Sequence, residues 1–384
     1  MPYVAKVSHL ERVRRLLEGR PDAAASPYLQ RLSSSYLRSL DQHHLDPADM
    51  SGPRVLSSGE LREVQQGEED FLRASGQCLS VLHQTVREAD YCVMLTNAGG
   101  TTIDYRVDRE RRHDFKRAGL YLGSCWSESE EGTCGVAAVL QDALPITVHK
   151  SDHFRAAFTT LTCSAAPIFS PSGDLIGVLD ASAIRSPDAR DSQNLVNRIV
   201  QQSATLIEDG YFLNAMACAW VLLMHRSRHY VEAQPEILIA FDALGNIIAA
   251  NRRARECIAG LQQLPRPMGE IFDLHFERLL DSRALQGLHL LRLQGGATLY
   301  GRVRAPVSRA VRPARAHAAV PTPAAHDDAA SAIAADERHE RDQIVAALTE
   351  CKWRAPHAAQ LLGMSRATLY RRMARYRILP PHRR

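Results

Sequence analysis

Apolar positions along this chain recur with two periods. Between Phe71 and Ala89, Leu72, Leu79, Leu82 and Val86 fall on one side of a helix. Tyr91 to Thr96 is a continuous apolar run of strand length, followed by a turn at 97–100 and a second strand at Thr101 to Tyr105. Ser164 to Phe169 and Leu175 to Ser182 flank a Pro171-Ser-Gly173 turn and predict a hairpin. Asp188 to His229 predicts a long, mostly helical connector, with Leu195, Ile199, Gln202, Leu206 and Leu213 at helical spacing. Glu236 to Asn251 then repeats strand, turn and strand as ILIAFD, ALGN and IIAAN. The alternation predicts two small α/β sensor domains and not one large sheet. The longest apolar stretch, Tyr211 to Met224, is too short to span a bilayer and contains Asn214, so no membrane partner is expected.

The pattern changes after residue 304. Ala305 to Asp336 is dominated by alanine and proline, with almost no large apolar side chain to offset the entropy of ordering, and predicts a flexible linker. Beyond it, Ile344, Ala347 and Leu348 stripe one helix. Pro356 suits the first turn of a second helix, carrying Ala358, Ala359, Leu361 and Leu362. Gly363 breaks that helix, and Ser365 is a good N-cap for a third. The third helix places Leu369, Met373 and Tyr376 on one face. Arg366, Thr368, Tyr370, Arg371, Arg372 and Arg375 lie largely away from it. Two helices crossing closely at a small residue, with arginine and hydroxyl groups leading the second, suit a major groove.

Charge supports this division. The 384 residues carry a net charge of only +4, yet Cys351 to Arg384 contains nine Lys or Arg and no acid, leaving the body mildly acidic. A basic tail on an acidic body is the layout of a nucleic-acid reader with a regulatory part, and its partner is double-stranded DNA. The eight cysteines include no C-x-x-C pair, and no signal peptide is legible; a reduced, cytoplasmic protein is expected. No cofactor and no metal are expected.

Two segments resemble known families. PHAAQLLGMSRATLYRRMARYRIL is similar to the Fis-type helix-turn-helix, with Trp353-Arg354 where that family often has Gly-Asn. The resemblance implies DNA contacts from Ser365, Arg366, Thr368, Tyr370, Arg371, Arg372 and Arg375. It also implies pairing through the preceding helix, hence Ile344, Ala347 and Leu348 as dimerisation residues of a homodimer. Cys125 to Ile184 contains WSESEEGTCG and LTCSAAPIFSPSGDLIGVLDASA, which resemble the GAF sensor of acetoin-catabolism-type activators of the sigma fifty-four enhancer-binding class. Ser34 to Arg38 and His44 to Pro47 look like that family's opening segment, and Ile237 to Ala254 looks like its PAS-like segment. Cys134 stands where asparagine is usual. The resemblance implies a small-molecule effector, for which Trp126 supplies an apolar wall and Thr133, Cys134, Cys163 and Ser164 polar edges.

One departure bears on mechanism. Relatives of this class carry an ATPase between sensor and DNA-binding parts, whose phosphate loop needs a Gly-Lys pair. None of the four lysines here (Lys6, Lys116, Lys150, Lys352) follows a glycine. The expected class is α+β multidomain, non-enzymatic. It comprises an N-terminal helical segment (1–70), a GAF-like sensor (71–186), a connector helix (187–230), a PAS-like domain (231–304), a flexible linker (305–336) and an all-α Fis-type helix-turn-helix (337–384). The expected function is an effector-sensing transcriptional regulator of a catabolic operon, working with RNA polymerase or a full-length relative. A cysteine-dependent GAF reductase and a nucleoid-shaping DNA-binding protein are the alternatives.

Overall fold

The structure, a computed structural model, describes residues 2–18, 26–274, 276–280, 287–307, 344–349, 351, 358–359, 361–362, 364 and 369. The chain divides into two compact units, Met1–Ala310 and Val311–Arg384. The expected linker lies, from residue 308 onward, outside the described residues.

In the first unit, a five-stranded antiparallel sheet contains β1 (Tyr91–Asn97), β2 (Thr102–Arg106), β3 (Ile146–His149), β4 (Thr162–Phe169) and β5 (Leu175–Ala183), in the order β2-β1-β5-β4-β3. The run in β1 is continuously apolar because both faces are covered. Cys92 and Met94 face one core with Cys163, Ala165, Val178, Phe115, Leu120, Trp126 and Phe158. Val93 and Leu95 face the other, with Ala166, Leu179 and two helices, α4 (Glu69–Val86) and α8 (Asn194–Ala215). In α4 the buried stripe is Phe71, Ser75, Leu79, Leu82 and Val86, with Leu72 half-buried beside it.

The expected connector is corrected in two ways. First, α8 is an integral layer of the sensor: Val200, Ser203, Ala204 and Ile207 pack inward, while Leu195 is 70% and Leu206 52% exposed. The helix carries two overlapping apolar stripes, and period alone does not say which one the sheet selects. Second, the segment 187–230 includes β6 (Trp220–His225), a central strand of a second sheet. With β7 (Ile237–Phe241), β8 (Asn246–Ala250), β9 (Arg266–Pro267), β10 (His289–Arg292) and β11 (Thr298–Arg304), that sheet runs β10-β11-β6-β7-β8-β9. A boundary at residue 231 would cut β6 away from both its neighbours, β11 and β7. A short helix, α9 (Arg252–Cys257), follows β8 and is capped by Asn251.

The N-terminal segment is docked on the first sheet's module. In α1 (Pro2–Glu18), Val13 joins Leu32 and Tyr36 of α2 (Pro27–Leu37) and Phe154 in one small core. Tyr36 meets Phe154 edge-on at 5.5 Å. Helix α3 (Ser58–Gly67) opens on a capping box formed by Ser57 and Glu60.

In the second unit, residues 344–349 are helical. Ile344, Ala347 and Leu348 are buried against Ala358, Ala359 and Leu369 of the same chain. The stripe expected to pair two copies is, as placed, the module's own core. The Leu362 amide donates to the Ala358 carbonyl (3.0 Å), an ordinary helical bond, and that of Met364 to Ala359 (2.9 Å), the wider span found where a helix ends.

Candidate effector site in the sensor interior

The segment WSESEEGTCG builds one wall of the sensor interior by folding twice. Glu128–Glu131 forms a single helical turn, α6, which stops at Gly132. Gly132 has φ +68°, and a Cβ there would stand 2.7 Å from Phe154, so both backbone and space demand glycine. Cys134 then opens α7 (Gly135–Asp142) as its N-cap, its Sγ accepting from the Ala137 amide at 3.4 Å. The departure from asparagine thus falls on a capping position, where asparagine is among the best residues and a thiol is a weak acceptor. Cys134→Asn should stabilise the folded chain by about 0.5–1 kcal/mol, seen as a raised thermal midpoint. A lowered midpoint would mean that the amide is not tolerated in this 2%-exposed position.

The five residues expected to line one cavity are distributed differently. Thr133 Oγ1 lies 2.7 Å from Ser35 Oγ, tying it to the N-terminal segment. Strand alternation puts Cys163 and Ser164 on opposite faces of the sheet. Ser164 Oγ is 2.9 Å from Thr147 Oγ1, which accepts from Asn197 of α8 at 3.0 Å. Cys163 faces inward, its Sγ 3.4 Å from His153 Nε2, and His153 Nδ1 is 2.9 Å from the Lys150 carbonyl. Burial holds His153 neutral, pushing it down to about 4, and pushes the Cys163 and Cys134 thiols well up. Neither is a thiolate at neutral pH. The Cys163–His153 contact joins residues that sequence spacing does not pair. Among the described residues, however, no three His, Cys, Asp or Glu side chains are grouped to hold a metal. Trp126 is packed at 5.3 Å against Phe158, and its indole Nε1 is buried without a hydrogen-bond partner.

The sequence reading missed the groups that converge with Trp126. Tyr105 of β2 pairs with Met94, so its ring enters the same core. Asp180 of β5 pairs with Met94 and Ala165 in the middle of the sheet and is fully buried. Among the described residues, the Tyr105 hydroxyl, Asp180 Oδ1, Thr96 Oγ1 and Thr102 Oγ1 have no hydrogen-bond partner. Asp180 Oδ2 accepts from Ser182, and Oδ1 lies 3.2 Å from where a Cβ on Gly135 would stand. Burial pushes its carboxyl up to about 7. An acid inside the otherwise apolar run Leu175–Ala183 was the available signal.

Charged side chains fasten the N-terminal segment over this module. Arg38 donates two hydrogen bonds to Glu128, at 2.7 and 2.9 Å. Arg155, 4% exposed, pairs with the buried Glu131 and with Asp49. The same guanidinium stands 5.4 Å over the Phe158 ring that meets Trp126.

In the second unit, Ser365, Arg366, Thr368, Tyr370, Arg371, Arg372 and Arg375 lie outside the described residues. Among the described residues of the first unit, no helix is long and apolar enough to cross a membrane.

Comparison with known proteins agrees with this division. Residues 77–207 match the GAF domain, and residues 337–376 match the family described as bacterial regulatory protein, Fis family. The chain is 39% identical over 252 residues to the acetoin catabolism regulatory protein of Cupriavidus necator, covering 66% of this chain and 38% of that protein. It is 28% identical over 153 residues to the acetoin dehydrogenase operon transcriptional activator of Bacillus subtilis, covering 40% of this chain and 25% of that protein. It therefore spans well under half the length of either relative. The solved E. coli DhaR(N)–DhaL complex is similar with a TM-score of 0.42 and 12% identity, over 72% of this chain and 99% of that one. This chain, then, carries a stretch that matches the GAF domain and, after it, one that matches the Fis family of bacterial regulatory proteins.

Proposed function

We propose that this protein is a transcriptional regulator that binds a small, neutral, oxygenated effector inside its GAF domain and reads DNA through its Fis-type module. The observation that carries the effector reading is the set of partnerless polar groups facing one apolar interior: Trp126 Nε1, Tyr105 Oη and Asp180 Oδ1. The indole can only donate, the phenol can donate or accept, and the carboxyl accepts or, when protonated, donates. A compact hydroxyketone carries the acceptors and the donor that such groups call for. The names of the two bacterial relatives make acetoin the first such molecule to try, and control of a catabolic operon the corresponding role.

DNA contact is assigned to Ser365, Arg366, Thr368, Tyr370, Arg371, Arg372 and Arg375. The missing Gly-Lys pair argues for action without an ATPase motor of its own. Two modules on inverted half-sites would supply the affinity that one lacks, and the exposed residues Leu195, Gln202 and Leu206 of α8 offer the pairing face.

Tyr105→Phe tests the pocket. Removing a buried, partnerless hydroxyl should stabilise the free protein by about 1 kcal/mol while weakening acetoin binding by about tenfold. Calorimetric titration and thermal melting read the two quantities separately. Unchanged acetoin affinity, or no acetoin binding by the parent chain at millimolar concentration, would refute the assignment.

A further inference from the structure

One buried polar joint connects the two sheets of the first unit. Glu208, on α8, is 4% exposed. One of its carboxylate oxygens accepts from the Phe169 amide at 3.1 Å, at the end of β4, and the other from Arg252 Nε at 3.2 Å, at the start of α9. Arg252 also donates to Thr205 Oγ1 at 3.0 Å, and its guanidinium lies 5.6 Å over the Phe169 ring. On the next residue, Asp209, Oδ1 accepts from Asn251 Nδ2 at 2.9 Å. Asn251 Oδ1 in turn caps α9 through the Ala254 amide (3.0 Å) and receives the Leu238 amide of β7 (3.1 Å). Arg255 Nη2 donates to the Pro171 carbonyl in the β4–β5 turn at 2.9 Å.

The helix that carries these acids belongs to both modules. Val200, Ala204 and Ile207 are in the GAF core, and Phe212 packs with Val221, Leu238, Ala240 and Ala249 of the second sheet. Strand β4 runs from Cys163, on the GAF interior, to Phe169, on the joint. A displacement of β4 therefore acts on the same carboxylate that holds Arg252. A buried ion pair is a poor source of stability compared with apolar packing, but its directional bonds fix one arrangement and are lost together when it shifts.

We infer that the Glu208–Arg252 pair, with the Asp209–Asn251 bond beside it, is a mechanical latch that transmits the state of the GAF core to the second sheet through β4 and α9. The latch requires no particular effector, so its test is independent of what the GAF domain binds.

In the full chain, Val178→Ala loosens the GAF core without removing any hydrogen bond of the joint, since Val178 is fully buried beside Cys92, Met94 and Cys163 and pairs across the sheet with Pro167 of β4. Hydrogen exchange at the Leu238 and Ala254 amides reports the second module. With the latch intact, Val178→Ala should speed exchange there by about tenfold. In a background carrying Glu208→Leu and Arg252→Leu, the same substitution should change it by less than about twofold. Should that background fail to fold, Glu208→Gln keeps the size and an acceptor for the Phe169 amide but removes the charge facing Arg252, and should give intermediate transmission. Equal transmission with and without the pair, or none in the parent chain, would overturn the latch.

Discussion

Arg155→Met should destabilise the first unit by about 3–5 kcal/mol at pH 8, and by about 1–1.5 kcal/mol less at pH 5. Arg155 and Glu131 have side chains 5% and 3% exposed, so solvent screens their pairing very little. Burial already pushes the Glu131 carboxyl from 4.5 up to about 7, outweighing the opposing pull of the Arg155 guanidinium. Without Arg155 that pull is gone, and the folded-state value rises further. At pH 8 the variant must either bury an unpaired carboxylate or bind a proton that the unfolded chain does not bind. Either way, its stability falls as pH rises from the unfolded value of 4.5 through the raised folded one. At pH 5 the folded carboxyl is already protonated and little of that cost remains. Asp49 and Ser51 also lose their donor, which unfastens the N-terminal segment at both acidities. Urea titrations at pH 5, 6, 7 and 8 measure the slope. Glu131→Gln added to Arg155→Met should recover the pH-dependent part of the loss at pH 8 and flatten the slope. A cost that is the same at all four values would show that packing over Phe158, and not charge, is what Arg155 provides.

The period of two carried the fold: the hairpins at Ser164–Ser182 and Glu236–Asn251 stand where alternating and continuous apolar runs put them. It also held information that motif matching overrode. Cys163 and Ser164 are adjacent in a strand and so cannot line one cavity, although both lie in the family-like segment. Other features had no local signal. Glu128 and Glu131 look like a solvated acidic turn until Arg38, 90 residues earlier, and Arg155, 24 residues later, are brought to them. The choice between the two stripes of α8 is likewise made by the sheet beneath it. Tyr105 and Asp180 were visible as polar residues in apolar strands, but only the register across from Met94 brings them to one interior.

The same lesson reverses the expected behaviour of the second unit. As a pairing stripe, Ile344 could accept an aspartate with loss of the dimer and survival of each module. As placed, it is 1% exposed and packs with Ala347, Leu348, Ala358, Ala359 and Leu369 of its own chain. Three of these six residues are alanine and none is larger than leucine or isoleucine, so little apolar area is available to offset a buried charge. Transferring an unpaired carboxylate into such a core costs several kcal/mol, comparable with the whole stability of so small a module. Ile344→Asp should therefore unfold the helix-turn-helix itself and abolish DNA binding, with the Cys351 and Leu362 amides losing exchange protection. The GAF domain should keep its own thermal transition, because its cores are separate clusters in the other unit. Ile344→Val, which removes one methylene, should leave DNA affinity within about twofold at a cost near 1 kcal/mol. A folded, monomeric Ile344→Asp chain with the Cys351 and Leu362 amides still protected would restore the pairing role and show that this stripe meets a second copy.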